Sequence, residues 1–347
     1  MKNNAITVRS KSPLRLGLAG GGTDVSPYSE EFGGCVLNVT IDMYAYCTIV
    51  FHPEGDKINF VAKDLQVEHE YELDAVLPLG HQLDLHVGIY NRVVKDYCGG
   101  KPLAVDITTY SDAPPGSGLG SSSTMVVAIL GAFQQLLNLP LGEYDLAKLA
   151  YDIERKDLAL SGGKQDQYAT TFGGFNFMEF YDGDKVIVNP LRIKDQIINE
   201  LESYIMLYYT GISRSSAKII DDQVKTTSSA DKKPLEAMHK VKELAYELKE
   251  QLLMSNISEM AQSFKTAWMA KKSTSSSISN DYIDEIETLS AQAGAISMKV
   301  SGAGGGGFIM MFVEPTKRLD VINALKDSQG EFYRFKFTNE GTQTWKI

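Results

Sequence analysis

Eighteen of the thirty glycines in this 347-residue chain fall in four short segments: six in 17–34, three in 116–120, four in 162–174 and five in 302–307. Glycine sits where backbone must take a positive φ or approach another group closely. A chain punctuated this way must fold around four tight turns. The second segment reads Pro114-Pro115-Gly116-Ser117-Gly118-Leu119-Gly120-Ser121-Ser122-Ser123-Thr124. Alternate glycines let successive N–H groups turn inward, and a helix predicted to start near Ser123 adds unpaired first-turn N–H groups and a positive dipole end. That is an anion cradle without a lysine. The hydroxyls of Ser121, Ser122 and Ser123 add ligands for phosphate or for phosphate-bound Mg2+. A serine-capped flexible loop is the plainer alternative; two prolines before the segment and a strong helical pattern after it favour the phosphate loop. It is not a Walker loop, because GxxxxGK followed by Ser or Thr occurs nowhere in the chain. Gly302, Gly304 and Gly307 match GxGxxG, but the strand-like run Phe308–Val313 follows where a dinucleotide fold needs a helix.

Charge and composition narrow the function classes. The chain carries 34 Lys and Arg against 44 Asp and Glu, a net charge of −10, with no basic cluster. Counterion release on nucleic acid needs clustered cations, so a nucleic-acid surface is not expected. The longest apolar stretch, Met125–Phe133, stops at Gln134-Gln135, far short of a bilayer span, and the opening MKNNAITVRSKSP has no apolar signal core. Cys35, Cys47 and Cys98 are odd in number and lack metal-ligand spacing, which fits a reducing cytoplasm. The expectation is a cytoplasmic protein without a membrane partner, monomeric or homodimeric.

Strand-like runs rich in β-branched and aromatic residues occur at Val36–Ile41, Ala45–Phe51, Ile58–Val61 and Leu103–Thr108. Val126, Ile129, Leu130, Phe133 and Leu137 follow a helical period with Pro140 beyond, and a second helix is predicted over Tyr144–Asp157. Strand-like runs return at Gly174–Glu179, Val186–Val188 and Tyr204–Tyr209. The second half changes character. Leu235, Met238, Val241, Leu244, Leu248 and Leu252 mark a long amphipathic helix. Helices near 257–270 and 281–294, a strand at Phe308–Val313, a helix near 317–327 and a last strand at Phe332–Thr338 follow. Two polar stretches, Lys225–Lys233 and Lys271–Asn280, read as mobile connectors. This mixture predicts an α+β fold in two domains, 1–195 and 196–347.

The first glycine segment, Pro13–Asp24, sets Arg15 and Asp24 around the bend Gly20-Gly21-Gly22-Thr23-Asp24. An Asx cap is the ordinary role of such an aspartate; Asp beside Thr also suits sugar hydroxyls, as acceptor and donor–acceptor. In the third segment, Gly162-Gly163-Lys164-Gln165-Asp166-Gln167, Asp166 stands between a helix and an apolar run, as either a base or a solvated loop residue. Upstream, Glu154 lies beside Arg155 and Asp157, where a surface ion pair is the plain alternative.

Together these segments resemble the three motifs of the GHMP kinase superfamily of small-molecule ATP-dependent kinases. Ser12–Asp24, Pro114–Thr124 and Lys299–Gly307 stand in the family's order and approximate spacing, and the central PPGSGLGSSS is highly specific. The resemblance spans nearly the whole chain. It implies a two-domain α+β fold, with an N-terminal domain like ribosomal protein S5 domain 2, a ferredoxin-like C-terminal domain and the site between them. It implies ATP phosphates on Pro115, Gly116, Ser117, Gly118, Leu119, Gly120, Ser121, Ser122 and Ser123. Mg2+ would sit on Ser122 and Glu154, with Asp166 as base for the attacking hydroxyl and Arg15 beside it. Gly22, Thr23 and Asp24 would bind sugar hydroxyls. Gly302–Gly307, Gly304 among them, would brace the phosphate loop and close over substrate.

RLGLAGGGTDVSPYSEEFGGCVLN and GGKQDQYA look most like members that phosphorylate a heptose 7-phosphate at its anomeric hydroxyl, on the way to nucleotide-activated heptose. L-fucose kinase domains share a closely similar first motif. Galactokinase-like members carry GEHTD where this chain has Gly20-Gly21-Gly22-Thr23-Asp24, and the smaller side chains leave room for a bulkier or phosphorylated sugar. A sugar that already carries phosphate needs a second anion site. Arg214, Ser215 and Ser216, after a strand and at a predicted helix start, are candidates, and Lys299 is another. A kinase for another sugar, a catalytically silent sugar- and ATP-binding sensor, and a diphosphate decarboxylase are the alternatives on the same fold.

Overall fold

The computed structural model describes residues 5–212, 216–227 and 232–347. The first glycine segment begins as a strand. Leu14, Leu16 and Leu18 alternate along β1 (Ile6–Ala19) and are fully buried. The short helix α1 (Tyr28–Phe32) connects β1 to β2 (Gly34–Phe51), an eighteen-residue strand that merges the two runs expected at Val36–Ile41 and Ala45–Phe51. Register slips between Pro13 and Arg15 and between Gly17 and Ala19 bend this antiparallel ladder beside the glycine turn.

β3 (Lys57–Ala62) and β4 (Val67–Glu72) form a hairpin, α2 (Asp84–Tyr97) follows, and β5 (Val105–Ser111) returns parallel to β3. The far half of β2 pairs with β5, while its near half pairs with β6 (Phe175–Phe180), which carries β7 (Val186–Pro190). Between β5 and β6 run α3 (Ser121–Leu137), α4 (Glu143–Asp152) and α5 (Gln165–Phe172). α3 lies on β1 and β2 through its buried Val126, Ile129, Leu130 and Phe133, and it ends where Asn138 takes φ +50°.

α6 (Asp195–Tyr204) leads into β8 (Ile205–Tyr209), so the boundary expected near 195 falls in the connection between two sheets. α7 (Ser216–Thr227), α8 (Lys232–Leu253), α9 (Ile257–Lys272) and α10 (Asp281–Gln292) precede β9 (Ala295–Val300) and β10 (Phe308–Val313). After α11 (Arg318–Ala324), β11 (Glu331–Tyr333) completes an antiparallel sheet in the order β11-β8-β10-β9. The strand expected over Phe332–Thr338 is shorter than its apolar pattern, because Phe337 leaves this sheet to bridge Ile41 of the first. The last strand, β12 (Gln343–Lys346), also returns to the first sheet and pairs with β1. One core spans both sheets: Leu244, Leu248 and Phe264 of α8 and α9 pack with Leu14, Leu16 and Leu18 and with Phe308 and Phe312.

The Lys271–Asn280 stretch is not a mobile connector. Lys271, Thr274 and Ile278 are buried, and Gly305 N–H donates to Ile278 O at 2.8 Å, so the last glycine turn packs on this segment. The Lys225–Lys233 stretch falls in the end of α7 and the start of α8, apart from 228–231, which lie outside the described residues. Among the described residues no helix is long and apolar enough to cross a membrane. Cys35, Cys47 and Cys98 are unpaired.

Phe133 is fully buried on α3, the helix that carries the phosphate loop. Phe133→Ala should therefore cost about 3–5 kcal/mol of stability, read as a lowered denaturation midpoint at unchanged slope.

Candidate active site

The phosphate loop is braced from the second sheet. Gly118 has φ +82°, and a Cβ there would lie 2.5 Å from Ser301 O, so only glycine lets the loop and the 302–307 turn pack backbone against backbone. Phe308 N–H donates to Ser117 O at 2.8 Å, and Ser301 Oγ donates to Gly118 O at 2.9 Å. So held, the loop enters α3 at Ser121, and the first intrahelical bond runs from Thr124 N–H to Gly120 O at 2.9 Å. The N–H groups of Ser121, Ser122 and Ser123 are the helix's free first-turn donors, at its positive end. Gly116, Gly118, Gly120 and these three serines border a cleft of about 280 Å3.

Pro115, Ser117 and Leu119 do not border it. Ser117 and Leu119 are wholly buried, and Leu119 packs in the core between the sheets while its carbonyl accepts Arg15 N–H at 3.2 Å.

The helix expected over Tyr144–Asp157 stops at Asp152 and continues as a π turn, Ile153–Asp157. Such turns recur at functional positions. This one carries Glu154 inward. Glu154 is 1% exposed, its Oε1 accepts from Ser122 Oγ at 3.3 Å and its Oε2 from Gln167 Nε2 at 2.5 Å. The plain reading of a surface ion pair fails on that burial, although Arg155 Nη1 stands 3.6 Å from Oε1.

Asp166 lies in the first turn of α5. Arg15 grips its Oδ1 with Nε and Nη2, both at 2.7 Å, and donates from Nη1 to Gly118 O at 2.6 Å. One planar guanidinium thereby ties the carboxylate to the phosphate loop. Among the described residues Asp166 Oδ2 has no hydrogen-bond partner, and Gly120 leaves the space beside it open.

The bend at Gly20–Asp24 separates two neighbouring side chains. Thr23 is fully buried; its hydroxyl is shared between Gly20 O at 2.8 Å and Cys35 O at 2.9 Å and accepts Cys35 N–H at 3.0 Å. Fully buried and absent from the cleft lining, Thr23 anchors the bend and does not face a sugar, which corrects the role expected for it. Asp24 and Gly22 line the cleft. Gly22 N–H donates to Asp24 Oδ1 and Gln165 N–H to Oδ2, each at 3.1 Å, and Gln165 Nε2 lies 3.4 Å from Oδ1. Burial pushes the Asp24 carboxyl above the usual carboxylate range; the Gln165 N–H opposes it, and the Asp166 charge reinforces it.

Three other expectations need placing. Gly304 packs on Ile278 and does not line the cleft, whereas Gly302 and Ala303 do, a correction that follows from the way the turn folds onto the 273–280 segment. Arg214 and Ser215 lie outside the described residues. Lys299 is buried under β1, where its Nζ donates to Gly17 O at 2.7 Å and Leu18 O at 3.0 Å, and it stays out of the cleft. Burial, with the nearby Lys271 and Arg15 charges, holds its pKa well below the ordinary lysine value. The lysine that does line the cleft is Lys271, which the sequence places at the head of a polar connector; only the tertiary packing of that segment reveals it.

The arrangement combines an N–H cradle for anions, a buried carboxylate beside a hydroxyl, an arginine-held carboxylate whose other oxygen has no partner among the described residues, and a third, buried carboxyl on the same cleft. Those parts suit transfer of a phosphoryl group to an alcohol, a reaction that depends mainly on positioning and charge stabilisation.

Known proteins point the same way. Residues 84–174 match the family GHMP kinases N terminal domain, and residues 242–331 match GHMP kinases C terminal. The chain is 50% identical to the D-glycero-alpha-D-manno-heptose 7-phosphate kinase of Campylobacter jejuni, over 98% of this chain and 99% of that relative. The crystal structure of a D-glycero-D-manno-heptose 1-phosphate kinase from Bacteroides thetaiotaomicron superposes with a TM-score of 0.83 at 46% identity, covering 98% of this chain and 99% of that one. Galactokinase of Lactococcus lactis, complexed with galactose, shares the fold alone, with a TM-score of 0.74 at 17% identity over 97% of this chain and 95% of that one. The two-sheet fold, the braced phosphate loop and these likenesses together show that the chain belongs to the GHMP kinase family.

Proposed function

We propose that this protein transfers the γ-phosphoryl group of ATP to the anomeric hydroxyl of D-glycero-D-manno-heptose 7-phosphate, giving the 1,7-bisphosphate. The observation that carries the transfer chemistry is Arg15, whose single guanidinium spans Asp166 and Gly118 O. It fixes the distance between a proton acceptor and the loop that holds the donor phosphates. Identity of 50% along nearly the full length of a relative named for the heptose substrate supports the acceptor.

The free N–H groups of Ser121, Ser122 and Ser123 bind phosphate oxygens as preorganised donors, which need no reorientation as charge develops. Glu154 and Ser122 Oγ fit Mg2+: both are hard oxygen donors, and Glu154 is a buried carboxylate with no bidentate arginine on it. Among the described residues no group of three or more acids, histidines or cysteines forms a protein cage, which suits an ion carried largely by substrate phosphates. Bound there, Mg2+ supplies neutralisation of phosphate charge. Asp166 Oδ2 accepts the proton of the anomeric hydroxyl while Arg15 holds Oδ1. Asp24 accepts from other sugar hydroxyls, and Gln165 Nε2 donates beside it. The two relatives' names place the existing phosphate on different carbons, C7 in one and C1 in the other. A base aimed at a free anomeric hydroxyl requires the first.

An ADP-release assay on heptose 7-phosphate, heptose 1-phosphate, L-fucose and galactose should give heptose 7-phosphate a kcat/KM roughly 100-fold or more above the rest; preference for any other acceptor contradicts the assignment. Asp166→Ala should lower kcat by about 100- to 10,000-fold with the KM for ATP nearly unchanged. Full kcat in that variant removes Asp166 from the mechanism. Glu154→Gln should raise the Mg2+ concentration needed for half-maximal rate, as read from a magnesium titration.

A further inference from the structure

Lys271 lies in the last turn of α9 and brings its ammonium from the second half of the chain to the wall of the cleft. It is 4% exposed, yet among the described residues its ammonium has one hydrogen-bond partner, the Gly302 carbonyl, and no carboxylate at ion-pair distance. An ammonium has three donors, and burying one without a counter-ion is costly. Lys299 shows the contrast: equally buried, it gives its ammonium to two carbonyls and stays outside the cleft. Two of the Lys271 donors are left for a ligand, and Lys271 itself lines the cleft. Burial lowers the Lys271 pKa to about 8; the Arg15 charge acts in the same direction and Asp24 against it. A phosphate anion brought alongside would hold the ammonium in its charged form.

Two phosphate-bearing substrates enter this cleft in the proposed reaction, the nucleotide and the sugar phosphate. The nucleotide has its own donors at the start of α3. Lys271 Nζ stands beside Gly21, in the same bend that carries Asp24, the carboxyl placed for sugar hydroxyls. Ala217 and Ile220 of α7 supply apolar wall to the same cleft, so they compete for no anion.

We propose that Lys271 determines acceptor specificity by holding the phosphate that the sugar already carries, so that the cleft separates a sugar phosphate from the free sugar. This rests on heptose 7-phosphate being the acceptor. It assigns to a residue of α9 the anion-binding role expected of Arg214, Ser215 and Ser216.

The test compares wild type, Lys271→Gln and Lys271→Arg with ATP and two acceptors, heptose 7-phosphate and unphosphorylated D-glycero-D-manno-heptose. Lys271→Gln should raise the KM for heptose 7-phosphate roughly 10–100-fold, leave the KM values for ATP and free heptose within about two-fold, and thereby erase most of the preference for the phosphorylated acceptor. Lys271→Arg, which keeps the charge, should restore much of that preference. Thermal melts and ATP binding establish that each variant is folded; if Lys271→Gln melts early, Lys271→Met fills the same volume without the charge and takes its place. An active wild type whose variant loses both acceptors alike, or loses ATP instead, overturns the role of Lys271 and leaves the function standing. A wild type inactive on heptose 7-phosphate overturns the function, and this inference with it.

Discussion

Gly118 meets Ser301 and Gly302 backbone to backbone, and the bonds beside that contact, Phe308 N–H to Ser117 O and Ser301 Oγ to Gly118 O, join the phosphate loop of one sheet to the strand ends of the other. Much of the site depends on this junction. Arg15 uses Gly118 O as its third anchor, so the placement of Asp166 follows the loop. The loop follows the 302–307 turn, and that turn rests on Ile278, whose carbonyl accepts Gly305 N–H. A side chain at Gly118 would push the loop from its brace and move Asp166 with it. The apolar core shared by β1, α8, α9 and β10 holds both sides of the junction at fixed separation. Packing that looks purely structural therefore sets the geometry of the reaction.

A net charge of −10 coexists with this site because the local field is made by a few groups placed out of water. Arg15, Lys271 and Lys299 converge around the end of β1, and burial gives each charge more reach than it would have at the surface. They have separate tasks: Arg15 pairs with Asp166, Lys299 ties the strand carbonyls, and Lys271 remains for a ligand. The N–H groups of α3 add positive potential without any net charge. An anionic substrate pair thus meets a positive pocket in an acidic protein.

The parts of the fold and site that were legible in the sequence are those fixed by local backbone demands. Glycines 116, 118 and 120 marked the loop because positive φ values are required there, and the apolar period from Val126 to Phe133 marked the helix after it. Asp166 and Glu154 stood out only through the resemblance; alone, each read as an ordinary surface acid. The alternation of Leu14, Leu16 and Leu18 signals β1, while the glycines beside it signal a bend. What could not be read depends on contacts between distant segments. Thr23 is spent on the Cys35 backbone, Gly304 on Ile278, and Lys271 is buried only because the last glycine turn folds over its segment. β12 pairs with a strand more than three hundred residues away, at an edge no local pattern announces.

The central claim is that the cleft joins a phosphoryl group to the anomeric oxygen of a sugar that already carries one. Phosphorus NMR of the products formed from ATP and heptose 7-phosphate tests it most directly. The account predicts ADP together with a new phosphate resonance coupled to the anomeric proton, in equal amounts, and retention of the original phosphate. ADP with inorganic phosphate alone, or a new phosphate on any other carbon, would contradict it.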